Sequence, residues 1–383
     1  MNRPLPISKE EARPALDRAA EQVRLNLPLY AGRCQNHSSV DGIYPPCGNT
    51  QWTCGFWPGE IWLAYERTGD KAFRDAGLAL AEDLGRRIRD KVEVDHHDMG
   101  FLYTPSCVSA YRLTGEKRAR DAAIAAADQL LTRFQPKGEF LQAWGAMGEP
   151  ENYRFIIDCL MNLPLLYWAS GETGDGGYAE IAKKHTETCM ANSFRPDGST
   201  YHTFYMNRDG SPGYGRTCQG YRDDSFWARG QAWGVYGSIL SCRYNGDPRA
   251  LDAFKRALAF YLTRLPADLV PCWDMLFQPD SGEPRDSSSA AIVACGLLEA
   301  TRILPDGEGA GYETLAREMV GSLVRDYAAP LREGGGLLLH GTYSKKSPYN
   351  SWTPEGVDEC TSWGDYFYME ALTRICGDWN RYW

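Results

Sequence analysis

Two stretches, Tyr65-Glu66-Arg67-Thr68-Gly69-Asp70 and Tyr111-Arg112-Leu113-Thr114-Gly115-Glu116, carry the same junction: a helical segment with apolar spacing, a glycine, then an acid opening a second helical segment. Glycine enters the left-handed conformation that ends a helix without the steric cost of a Cβ, and Asp or Glu suits the start of the helix that follows. Each junction therefore reads as an αα corner. Further copies are Gly171-Glu172-Thr173-Gly174-Asp175, Arg243-Tyr244-Asn245-Gly246-Asp247-Pro248, Ile303-Leu304-Pro305-Asp306-Gly307 and Arg374-Ile375-Cys376-Gly377-Asp378. The chain thus reads as six helical hairpins, with corners at Gly69, Gly115, Gly174, Gly246, Gly307 and Gly377.

Helical spacing holds on both sides of the corners, as in Ala76, Leu80 and Leu84 after the first and Leu251, Phe254, Ala257, Leu258 and Tyr261 after the fourth. Strand-like alternation is scarce. Between the hairpins lie Gly-, aromatic- and polar-rich stretches at 43–59, 135–154, 195–227, 271–289 and 333–364. An open solenoid and a closed toroid share this periodicity. The recurrence of aromatic-rich loops at equivalent points favours closure, with the loops lining one mouth of the ring. The expected architecture is all-α, a six-hairpin toroid forming one domain over residues 1–383.

Of the 383 residues 43% are hydrophobic, enough for a large core, and the net charge of −9 argues against a nucleic-acid surface. An anionic substrate would need local basic groups. No apolar run reaches membrane-spanning length and the N-terminus carries no signal-peptide pattern, so a cytoplasmic protein with no membrane partner is expected. The twelve cysteines are scattered without a CxxC pair and read as reduced thiols, Cys47 and Cys54 being the leading candidates for an exception.

Asp95-His96-His97-Asp98-Met99-Gly100-Phe101 is the densest polar cluster. It reads as a metal site, disfavoured because adjacent ligands on a helix diverge, as a polar helix start with Asp as cap, or as reaction chemistry. In Ile156-Ile157-Asp158-Cys159-Leu160 the acid is flanked by apolar residues, so its carboxyl is expected to be desolvated and its pKa raised, as a general acid requires. The alternative is a buried acid bonded to the backbone at a helix start. Tyr201-His202-Thr203-Phe204-Tyr205, Thr217-Cys218-Gln219-Gly220 and Trp227-Ala228-Arg229-Gly230-Gln231-Ala232-Trp233-Gly234 mix flat rings with polar forks, a combination that suits sugars. Trp57, between small residues in Gly55-Phe56-Trp57-Pro58-Gly59, is a further stacking candidate.

These motifs, with Gln142-Ala143-Trp144-Gly145, Arg285-Asp286-Ser287-Ser288 and Trp363-Gly364-Asp365-Tyr366, give the chain a nearly end-to-end resemblance to the unsaturated glucuronyl hydrolases of glycoside hydrolase family 88. The resemblance implies an (α/α)6 barrel that hydrates the C4=C5 double bond of an unsaturated uronic acid at the non-reducing end of a lyase product. It implies that Asp158 is the general acid and base and Asp98 the second acid, that His97, His202, Gln219 and Arg229 bind the sugar or orient its carboxylate, and that Trp57, Trp144 and Trp233 are stacking walls. Neither metal nor organic cofactor is implied. Ser344 and Ser347, three apart, resemble the family's sulfate-accepting loop; Tyr349 stands where a lysine would follow, leaving Lys345 or Lys346 as the substitute. Two other readings stand beside this one: an unsaturated rhamnogalacturonyl hydrolase acting on pectin fragments, and a non-catalytic sugar-binding toroid that would have no need of Asp158.

Overall fold

The computed structural model describes residues 3–383. The helices are α1 (Lys9–Asn26), α2 (Phe56–Thr68), α3 (Lys71–Arg89), α4 (Met99–Tyr103), α5 (Ser109–Thr114), α6 (Lys117–Leu131), α7 (Leu163–Thr173), α8 (Gly176–Asn192), α9 (Ala228–Asn245), α10 (Pro248–Arg264), α11 (Ser287–Ala300), α12 (Asp306–Ser322) and α13 (Ser362–Cys376). A wide turn at Thr104–Val108 joins α4 to α5, so these two act as one interrupted helix.

The local chemistry of the first four corners is uniform. Gly69, Gly115, Gly174 and Gly246 take φ of 69°, 76°, 79° and 62°, the left-handed region that favours glycine. The acid that follows is the N-cap itself: the side chains of Asp70, Glu116, Asp175 and Asp247 accept from the backbone N–H two residues on. The last two corners differ from expectation. Gly307 lies inside the first turn of α12; α11 ends at Thr301 in right-handed geometry, and Pro305 stands at the N-cap of α12. Gly377 follows α13 in an extended conformation and no helix comes after it.

The sixth hairpin is built from the two ends of the chain: α13 packs on α1, and both pack on α2. The ring is therefore closed. Its inner helices are α2, α4–α5, α7, α9, α11 and α13; every position of α11 is buried. The outer helices are amphipathic, α3 burying Phe73, Gly77, Leu80, Ala81, Leu84 and Ile88 along one face. The ring's axis is filled by rings of another kind: Phe101 packs on Trp233 at 5.2 Å, Trp233 on Phe367 at 5.6 Å, and Phe367 on the C-terminal Trp383 at 5.8 Å. Trp383 is fixed by its indole N–H donating to Glu370 Oε2 at 2.7 Å.

Strands are few and short. β1 (Arg154–Ile156), β2 (Thr203–Met206) and β3 (Pro212–Arg216) form an antiparallel sheet in that order, with Arg154 opposite Tyr205 and Ile156 opposite Thr203. β4 (Gly341–Ser344) pairs with β5 (Glu355–Glu359). Both lie in the long return loops. Cys47 and Cys54 are free thiols, as are the other ten cysteines. No helix among the described residues is long and apolar enough to cross a membrane.

Candidate active site

One pocket, of about 220 Å³, is lined by Trp52, His97, Asp98, Trp144, Arg154, Asp158, His202, Gln219, Tyr343 and Trp352, with Ile156 and Cys218 between them. Its elements share one end of the ring. Asp98 is the N-cap residue of α4, Asp158 lies in a 3-10 turn just before α7, and the loop bearing Trp52 leads into α2. N-terminal helix ends carry partial positive charge, so this mouth has local positive potential in an otherwise acidic chain.

Asp98 does not cap its helix: no backbone N–H of α4 bonds to its side chain. Its carboxylate is turned to two imidazoles and an amide, with His96 Nδ1 at 3.2 Å, His97 Nε2 at 3.3 Å and Asn162 Nδ2 at 3.5 Å. Burial works against the charge, but His97, His96 and Asn162 outweigh it and hold Asp98 below the usual carboxylate range. Asp158 lies across His97, whose Nε2 is 4.0 Å from Asp158 Oδ1. That oxygen is buried and has no hydrogen-bond partner. Burial first, and then the charge of Asp98, push the Asp158 carboxyl well above its ordinary value.

Asn162 joins the two acids. Its Oδ1 accepts from Phe101 N at 2.8 Å while Nδ2 reaches Asp98 Oδ1 and the carbonyl of Asp158. Gly100 permits the approach, because a Cβ there would stand 2.3 Å from Asn162 Cα.

Burial pushes His97 down to about 4, so it is neutral near pH 7. His202 is also held well below the usual imidazole range, by burial and then by Arg229 and Arg154. Its Nδ1 accepts from the amides of Cys218 and Gln219 at 3.0 and 3.2 Å, which leaves Nε2–H as its donor. Trp144 forms a wall by stacking flat on His96 at 4.4 Å. Opposite, Tyr343 packs against Trp52 and accepts from its indole N–H at 3.3 Å.

The pocket thus collects Asp98, Asp158, His97, Trp144, His202 and Gln219 from the residues expected, and not the others. Trp57 is buried beneath α2 against Tyr30, and Trp233 belongs to the axial core. Neither lines the cavity, so the stacking-wall role expected of them is not the one their packing gives them. Arg229 stands behind the wall. Its Nη1 donates to Asp286 Oδ2 and Thr342 O, and its Nη2 to Gln219 Oε1 and Tyr343 O, so four of its five N–H groups are used internally. It orients Gln219 and Tyr343 rather than offering itself to a ligand.

Most of the expected sulfate loop is likewise bonded internally, the exception being Ser344 Oγ, which is buried without a hydrogen-bond partner. Ser347 Oγ donates to Tyr221 O and accepts from the amides of Tyr349 and Asn350, and Ser344 is fully buried in β4. Lys345 pairs with Glu283 at 2.5 Å and Lys346 donates to Asn350 O.

Trp52, Arg154, Tyr343 and Trp352 were not anticipated. All four lie in the aromatic-rich loops expected to line the mouth, Arg154 as the last residue of its stretch. Arg154 had its own signal: Arg154, Ile156 and Asp158 alternate, and all three line the pocket. His97, Asp98 and Asp158 also bring one ligand atom each within 4.8 Å of one another, the grouping among the described residues that could hold a divalent cation.

Comparison with known proteins agrees with this geometry. Residues 31–372 match the family described as Glycosyl Hydrolase Family 88. The chain is 46% identical over 383 residues to an unsaturated chondroitin disaccharide hydrolase of Streptococcus pyogenes serotype M1, covering 98% of this chain and 94% of that protein. A crystal structure of unsaturated glucuronyl hydrolase from Streptococcus agalactiae superposes with a TM-score of 0.95 at 42% identity, covering 99% of this chain and 95% of that one. A mutant of the S. agalactiae enzyme complexed with dGlcA-GalNAc6S matches with a TM-score of 0.87 at 39% identity over 99% and 94% of the two chains.

Proposed function

The chain belongs to glycosyl hydrolase family 88, and from that premise we propose that it releases the 4,5-unsaturated uronic acid from the non-reducing end of lyase-generated oligosaccharides, glycosaminoglycan disaccharides foremost. The observation that carries this reading is a pair of acids in one pocket with opposed protonation, Asp158 pushed up and Asp98 held down. A vinyl ether needs one proton donor and one water, without the nucleophile or opposing base of ordinary glycosidases.

In the proposed reaction Asp158 gives its proton to C4. The electrons of the C4=C5 bond form the new C–H bond, and positive charge develops at C5 and the ring oxygen. The anionic Asp98 stabilises that charge and accepts from sugar hydroxyls. Asp158, now a carboxylate, takes a proton from the water whose oxygen adds to C5. The resulting hemiketal opens and frees the neighbouring sugar. Trp144 and the Trp52–Tyr343 pair supply flat walls, and His202 Nε2–H a donor. The relatives named for unsaturated chondroitin disaccharides and glucuronyl substrates support a glycosaminoglycan source over a rhamnogalacturonan one. Twelve free thiols accord with a reducing, cytoplasmic setting.

The test is incubation with an unsaturated chondroitin disaccharide. Absorbance of the double bond should disappear in step with release of the second sugar; absorbance that persists at high enzyme concentration sinks the proposal.

A further inference from the structure

The substrate proposed above is an anion, yet the arginine expected to meet it is occupied. Arg229 spends its guanidinium on Asp286, Gln219 and two carbonyls, and two indoles cover its faces, Trp227 at 4.6 Å and Trp363 at 4.7 Å. The pocket contains a second guanidinium with the opposite profile. Arg154 lines the cavity and pairs with no carboxylate among the described residues. Its Nη1 donates to Tyr205 Oη at 3.0 Å and to Cys218 Sγ at 3.4 Å. Its Nε is buried and has no partner at all.

An unpartnered buried donor on a permanent cation is costly unless something fills it in the working state. The Nε edge of arginine, with the adjacent Nη2, is the fork that fits two oxygens of one group. Tyr205 and the pocket-lining Cys218 hold Nη1, and the guanidinium lies over the Tyr205 ring at 5.5 Å, so the group is held in place before a ligand arrives. Arg154 also sits on the strand face that leads to Asp158, and its charge is felt at both pocket imidazoles, His97 and His202. A group bound on this fork lies beside the reacting ring.

We propose that Arg154 is the oxyanion hook of this pocket, its Nε–Nη2 edge gripping a two-oxygen anionic group of the substrate. Two sources share that chemistry: the carboxylate on C5 of the unsaturated uronate, or a sulfate on the sugar that follows. The inference rests on the substrate class proposed above, but binding reads it independently of turnover.

The experiment is calorimetric binding of three probes to the wild type, Arg154→Met and Arg154→Lys, alongside KM and kcat. The probes are the unsulfated unsaturated chondroitin disaccharide, its 6-sulfated form, and the methyl ester of the unsulfated one. Losing a charged hydrogen-bonded contact should weaken binding of the free acids, and raise KM, by about 10- to 100-fold in Arg154→Met, with kcat moving much less. Arg154→Lys, which keeps the charge and loses the fork, should fall between. The ester should bind wild type weakly and lose little more in the variant. Loss shared by both acids assigns the carboxylate; loss confined to the sulfated probe assigns the sulfate. Unchanged binding of both acids overturns the proposal, and so does an equal loss on acid and ester, which marks a purely structural role. Wild type that binds these probes but turns none over breaks the proposed reaction and leaves the binding result intact.

Discussion

Two pairs of buried acids occupy this ring, and burial has opposite consequences in them. Asp98 and Asp158 share the pocket. Glu60 on α2 and Asp365 on α13 share the packed interior between two inner helices. In the interior pair both carboxyls are driven up: Glu60 by burial and then by the charge of Asp365, and Asp365 by burial to about 7. Asp365 accepts from Tyr44 Oη and Leu338 N, each at 2.8 Å, and those two donors do not overcome desolvation. In the pocket pair one acid rises and the other falls. Asp98 has two imidazoles and an amide around it, so its ionised form survives burial. Desolvation raises any buried carboxyl; the donors placed around it decide whether it ends as an acid or an anion. A pair split in this way can move a proton, whereas a pair raised together only holds the fold.

The largest effect that could break this contrast is at Asp158. Asp158→Asn keeps shape and loses the proton, and should lower kcat by about 10²–10⁴ while substrate still binds by calorimetry. Retention of more than about a tenth of wild-type activity, well above what losing such a group allows, would move the acid elsewhere, with Asp98 first in line.

Asp98→Asn should cost about 10- to 100-fold and carry a distinct mark. Activity requires protonated Asp158, so it falls as pH rises through the Asp158 pKa. Without the negative charge of Asp98 that pKa drops, and the alkaline limb of the kcat profile should shift to lower pH. An unshifted limb would mean that burial alone sets Asp158.

Gly100→Ala sharpens the role of Asn162 as the bridge between the acids. With the new Cβ 2.3 Å from Asn162 Cα, the helix start must shift. Destabilisation of about 1–3 kcal/mol in urea unfolding is expected, with a several-fold fall in kcat as the acids separate. Normal stability and kcat would show that the contact is relaxed at no cost.

The smallest effect belongs to the interior pair. Their folded pKa values lie above the unfolded ones, so the stability they contribute is full below about pH 4 and is lost as pH rises through the folded value, about 7 for Asp365. Glu60→Gln removes one titrating carboxyl, and should flatten the fall in melting temperature as pH rises from about 4 to about 7 by an amount worth about 1 kcal/mol, with kcat unchanged. A variant as pH-sensitive as wild type would place the titration on other groups.

Corners were legible where the signal is local. At Gly69, Gly115, Gly174 and Gly246 a left-handed glycine and a capping acid three bonds of chain away need only their own neighbours. Glycine beside an acid also tolerates the inside of a first helical turn, which is how Gly307 misled, and the end of a chain, which is how Gly377 did. Asp158 was legible because its apolar flanks already implied desolvation. Trp57 and Trp52 lie five residues apart in the same loop-to-helix stretch, and composition does not say which faces the cavity; the start of α2 at Phe56 turns Trp57 into the wall and leaves Trp52 at the mouth.

The sequence by itself determined the helical hairpins, the aromatic loops and the desolvated Asp158, because helix stops, periodicity and apolar flanks act over a few residues. Closure was decided only when the last helix met the first, which no local pattern specifies. The division of labour between the two arginines was also tertiary. Arg229 is disarmed by Asp286, just before α11, and by β4, the farthest partner more than a hundred residues away in sequence, while Arg154, on a short strand at the pocket, keeps an Nε without a partner. Which cation faces a substrate depends on which donors the rest of the fold has already used.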